Sequence, residues 1–124
     1  MHRFKLSTHE FSDKYDPTWS EVQYYVDILR STHGAFLTLE AEPWVDNVTS
    51  RLCGMFQAPN TRFSVKKPTE APHYIVEVQT AGIDESLYMH IHKTQFQAEV
   101  ETVFENYLNN SQPPDLNGWG KELF

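Results

Sequence analysis

Periodicity and turn chemistry in this sequence point to an α+β domain, an antiparallel sheet of about five or six strands with two helices packed on one of its faces. Three observations carry this. In Lys93 to Asn110, Phe96, Val100, Val103, Phe104 and Tyr107 recur at the three- and four-residue spacing of a helical apolar stripe. Thr18 with Glu21 forms the capping-box pattern T-x-x-E ahead of a second stripe, Val22, Tyr25, Val26, Ile28 and Leu29. Between the two helices, short alternating segments succeed one another across tight turns, which favours antiparallel pairing with the helices gathered on one face.

In chain order, His2 to Ser7 alternates Phe4 and Leu6 against Arg3 and Lys5, a half-buried first strand. A polar loop, Thr8 to Pro17, leads to the helix capped by Thr18, expected to run to about Arg30 and to stop at His33-Gly34. Ala35 to Ala41 is the next strand, broken at Glu42-Pro43-Trp44 because proline cannot donate to a ladder, and Val45 to Ser50 reads as loop. Arg51 to Gln57 and Thr61 to Lys66 read as strands joined by Ala58-Pro59-Asn60, with a polar connection after them from Lys67 to Pro72. His73 to Gln79 is the strongest strand, with Tyr74, Val76 and Val78 opposite Glu77 and Gln79. After Thr80-Ala81-Gly82, Leu87, Met89 and Ile91 alternate with Tyr88, His90 and His92 in a last strand. The long helix then begins, capped by Thr94 with Gln97 three residues on and ended by Asn109 and Asn110 in a left-handed turn. Residues 110–124, with Pro113-Pro114, read as a stiff extended tail.

The 124 residues suit one domain, 1–124, and 40% apolar with 14% aromatic residues is ample core material. The net charge of −7 and ten scattered Lys and Arg argue against direct binding to nucleic acid phosphates, and suit a basic protein partner instead. A single cysteine, Cys53, fits a reducing compartment, and no apolar run reaches signal-peptide or membrane-span length, so a cytoplasmic protein without membrane contact is expected.

Catalytic patterns do not emerge. Cys53 has no histidine fixed beside it by sequence, and phosphate loops, dinucleotide fingerprints and calcium loops are missing, so neither an enzyme nor a cofactor is expected. His90 and His92 lie on one face of a strand, and with His73 and Glu77 on a neighbouring strand they outline a conceivable metal or ligand site; a solvated strand face explains them more simply. Glu40, Glu42 and Asp46 surround Trp44, the composition of an aromatic anchor ringed by charge, against the simpler reading of Trp44 as a lid on the core. Asp84, Glu85 and the helix residues Glu99, Glu101 and Glu105 form a second acidic zone.

Three pieces of the chain carry a family resemblance. Pro17-Thr18-Trp19-Ser20-Glu21-Val22 opens the first helix, Ala35-Phe36-Leu37-Thr38-Leu39-Glu40 comes next as a strand, and Val103-Phe104-Glu105-Asn106-Tyr107 leads into Pro113-Pro114 and Trp119. In these the chain resembles small immunity proteins of bacterial polymorphic-toxin and contact-dependent inhibition systems, with Arg51 to Gln79 unmatched. The resemblance implies a cytosolic, non-enzymatic inhibitor that binds a cognate toxin domain, often a nuclease or deaminase, with Trp44 or Tyr88 as aromatic anchors among Glu40, Glu42, Asp46, Asp84 and Glu85. The competing expectations are a small metal- or ligand-binding domain built on His73, Glu77, His90 and His92, and an accessory protein whose sheet edge pairs with a second copy.

Overall fold

Seven strands and two helices are present in the residues that the computed structural model describes, 3–57 and 72–123. They are β1 (Arg3–Thr8), β2 (Lys14–Tyr15), α1 (Trp19–Asp27), β3 (Phe36–Val45), β4 (Thr49–Gln57), β5 (His73–Ala81), β6 (Leu87–Thr94), α2 (Gln97–Asn110) and β7 (Gly120–Leu123). The strands form one sheet in the order β2-β1-β3-β4-β5-β6-β7, antiparallel throughout. The architecture is the expected α+β one, with seven strands where five or six were read from the sequence. The strand expected over Thr61–Lys66, the turn before it and the connection from Lys67 to Ala71 lie outside the described residues.

The core explains why these segments alternate as they do. Phe4 and Leu6 from β1, Leu37, Leu39 and Ala41 from β3, Leu52 from β4, and Tyr74, Val76 and Val78 from β5 are buried on one face. Val22 and Val26 of α1 and Val100, Phe104 and Tyr107 of α2 close over them. The ring of Phe104 comes so close to the sheet that a Cβ on Gly54 would stand 3.1 Å from it and 3.1 Å from the Leu37 side chain, which is why β4 carries a glycine in mid-strand. Tyr107 sends its hydroxyl to the Thr49 carbonyl at 3.4 Å and meets the Phe4 ring edge-on at 5.3 Å. Burial holds its phenol well above the ordinary range.

Several boundaries differ from the sequence reading, each for a local reason. The capping box at Thr18 forms as expected, Glu21 N–H donating to Thr18 Oγ1 and Thr18 N–H to Glu21 Oε1, both at 3.2 Å. Helix α1 ends at Asp27, and the turn after it keeps Leu29 in the core. The box expected at Thr94 does not form. Thr94 is the last residue of β6, its hydroxyl donates to Glu99 Oε2 at 2.7 Å, and α2 starts at Gln97 without a side-chain cap. Phe96 consequently leaves the apolar stripe and is exposed, and the left-handed exit falls on Ser111 (φ 48°, ψ 43°), beyond Asn109 and Asn110.

Strand β3 passes through Pro43 to Val45, although Pro43 was expected to end it. Among the described residues the ladder with β1 is followed as far as Glu42, and the ladder with β4 skips from Glu40 to Val45, so on the β4 side no bond is asked of the proline nitrogen. Of the segment read as loop, Val45 ends β3 and Thr49 and Ser50 open β4, and the residues between form a hairpin turn: Asp46 and Asn47 both adopt positive φ, 54° and 57°, and Val48 N–H returns to the Val45 carbonyl at 3.0 Å. The expected tail ends in β7, which pairs with β6 as an exposed edge.

Candidate functional site

The sheet brings two hairpin turns to one end. The β3–β4 turn contributes Asp46, Asn47 and Val48; the β5–β6 turn contributes Gly82 to Ser86. They are neighbours because β4 and β5 pair at Thr49 and Thr80, and the Ala81 N–H donates to the Val48 carbonyl at 2.9 Å. Five of the six residues marked in the sequence as contact candidates, Glu42, Trp44, Asp46, Asp84 and Glu85, are thereby gathered on this rim, all exposed.

Apolar side chains stand among these acids. Trp44 is 39% exposed, so it does not close over the core as a lid; Val48 is 42% exposed and Ile83 fully so. Sequence reasoning missed Val48 and Ile83. The signal was present: in Asp46-Asn47-Val48 and Gly82-Ile83-Asp84 an apolar residue adjoins turn formers that lead it away from any strand face. The β5–β6 loop is internally bonded, with Gly82 N–H to Ser86 O at 2.8 Å, Glu85 N–H to Gly82 O at 3.0 Å, and Ser86 N–H to Asp84 Oδ1 at 3.1 Å. The backbone bond from Ser86 holds the Asp84 carboxyl below its ordinary value, so it is ionised at neutral pH.

Basic groups nearest this end are already engaged. Arg3 lies 3.4 Å from Asp16 and over the Tyr15 ring, and Lys121 lies over the Tyr88 ring at 4.2 Å. Lys121 also acts on Asp84, and Lys5 stands 4.0 Å from Glu42, so part of the rim's negative charge is balanced within the fold, while among the described residues Asp46 and Glu85 have no ion pair. Tyr88, the other aromatic candidate, is half-buried beneath Lys121.

Glu40 stands apart from the other five. It lies on the sheet face that no helix covers, between Lys5 at 3.1 Å and Arg51, whose Nη2 and Nε reach the same oxygen at 2.6 and 3.1 Å. Burial alone would raise its pKa; the bonds from Arg51 and Lys5 outweigh that and hold it below the ordinary value. Its charge is spent within the fold. Glu42 remains exposed with Lys5 at 4.0 Å.

The histidine constellation is corrected by the register. β5 and β6 pair Val76 with His92 and Val78 with His90, which turns both imidazoles to the helix-covered face, while His73 and Glu77 belong to the opposite one. His90 shares a 2.9 Å hydrogen bond with Thr80, and burial together with Lys121 lowers its pKa. His92 bonds Glu99 at 2.5 Å and stacks on Trp119 with centroids 5.0 Å apart. His73 is buried, and Glu77 is held above its ordinary pKa by burial and by Glu122. Among the described residues no three His, Cys, Asp or Glu side chains are arranged to hold a metal ion.

Two further groups find roles inside the fold. Cys53, mostly buried and 3.1 Å from Thr38 Oγ1, has its pKa raised by burial, the reverse of an activated thiolate. On α2, Glu99 serves His92 and Thr94, and Glu101 accepts from Gln23 at 3.1 Å, so part of the second acidic zone fastens the helix in place. No helix among the described residues is long and apolar enough to cross a membrane. Comparison of the chain with family models, with curated proteins and with solved structures returns no match.

Proposed function

We propose that this chain is a non-enzymatic, cytoplasmic immunity protein that neutralises a cognate toxin domain, a nuclease or other nucleic-acid-directed protein, by covering it with the rim at the β3–β4 and β5–β6 turns. The observation that carries the reading is the convergence of Glu42, Asp46, Asp84 and Glu85 with exposed Trp44 and Val48 on one end of the sheet, from two hairpins well separated in sequence. A toxin that acts on nucleic acid presents Lys and Arg for phosphates, and clustered carboxylates steer toward such a surface and occupy it. Trp44 offers the rigid aromatic area that interface centres favour. The four residues of the metal or ligand alternative face opposite sides of the sheet, so that alternative is not proposed.

The test is neutralisation. The C-terminal domain encoded by the neighbouring reading frame is produced in bacteria with and without this chain. Growth arrest by the domain alone, relieved by the chain, with a one-to-one complex on purification, is the expected result. A neighbouring frame that encodes a metabolic enzyme, or arrest that the chain does not relieve, overturns the proposal.

A further inference from the structure

We infer that Ile83 is the anchor of this surface, an apolar plug for a recess on the toxin domain whose mouth carries Lys or Arg; the inference rests on the functional reading above. Ile83 is fully exposed, packs on nothing in the core, and sits between a glycine and an aspartate in a turn, where a β-branched apolar residue brings no local benefit. Its loop holds it out in a defined way. A Cβ on Gly82 would stand 2.7 Å from the Tyr88 ring and 2.9 Å from Asp84 Oδ1, so a side chain here would displace one or both, and the bonds among Gly82, Asp84, Glu85 and Ser86 fix the remainder of the loop. A side chain presented on a rigid loop loses little further freedom on binding, which is the condition for an anchor. Val48 from the adjoining turn extends the apolar contact.

Charge selects the occupant. Asp84 and Glu85 come directly after Ile83 and Asp46 lies on the next turn, so a basic mouth around the recess complements this tip. A second copy would bring the same acids against themselves, and an anionic lipid surface would repel them.

Binding kinetics of purified Ile83→Ser and Ile83→Leu toward the neighbour-encoded domain test this, with melting temperatures of both expected to equal that of the parent. Ile83→Ser is expected to dissociate about 30-fold faster or more, with association rate and salt dependence unchanged, and Ile83→Leu to stay within about threefold. Dissociation of Ile83→Ser within about threefold of the parent overturns the inference. If charge reversal of Asp46, Asp84 and Glu85 nevertheless weakens binding, the functional reading stands without it. A parent that does not bind the domain at all overturns the functional reading and the anchor with it. A dimer that Ile83→Ser dissolves gives the anchor to a second copy, again overturning it.

Discussion

Glu40 and Glu77 lie on the same uncovered face of the sheet and experience opposite fields. For Glu40, burial is outweighed by Arg51 and Lys5, and the folded pKa is lowered. The stability it contributes is present above the ordinary carboxylate pKa and is lost as pH falls through the lowered value. Glu40→Gln is expected to cost about 1 kcal/mol in urea unfolding at neutral pH, a difference that closes in acid once Glu40 itself is protonated. For Glu77, burial and Glu122 raise the folded pKa, so the folded state holds its proton longer than the unfolded chain. That contribution is favourable in acid and is lost as pH rises from the ordinary value through the raised one. Glu77→Gln is therefore expected to stabilise at neutral pH and to be without effect in acid, measured by the same unfolding curves. Neither difference could be read from the sequence, where both are glutamates on alternating strands. What separates them is the cross-strand neighbour, Arg51 for one and Cys53 for the other, and register supplies it.

At the level of elements, the legible parts were those whose signals are local and unopposed. Thr18 and Glu21 cap α1 as written, and Tyr74, Val76 and Val78 face the core as their alternation requires. At Thr94 the same kind of signal failed, because a hydroxyl that could cap a helix was already placed at a strand end and bonded to Glu99. For β6, alternation showed two faces but not which one meets the helices. Its residues are nearly all half-buried, and pairing with β5 made the decision that carried His90 and His92 away from Glu77. The rim was half legible: the acids and Trp44 stood out, while the turn formers beside Val48 and Ile83 carried a weaker signal whose meaning the exposure of both side chains makes plain. The close approach of α2 to β4 gives a direct test of the packing. Gly54→Val is expected to cost about 2 kcal/mol by crowding Phe104 and Leu37, and Phe104→Leu in the same chain is expected to recover part of that loss, read as a coupling energy in a double-mutant cycle.

Taken as a whole molecule, the chain carries its charge unevenly. The formal net charge is −7, yet Glu40, Glu99 and Glu101 are engaged in fastening strands and helices; Glu42, Asp46, Asp84 and Glu85 stand exposed at one end of the sheet, and Glu105, Asp115 and Glu122 are exposed elsewhere on the chain. Under the proposed function the chain meets its basic partner through this end of the sheet. Steering by such a cluster accelerates association and is screened by salt. The decisive measurement is the affinity for the neighbour-encoded toxin domain across a salt series, for the parent and for the combined Asp46→Lys, Asp84→Lys, Glu85→Lys chain. The expected result is tight, strongly salt-sensitive binding by the parent and weaker, nearly salt-independent binding by the variant, while equal affinities with equal salt slopes would place the contact elsewhere on the molecule.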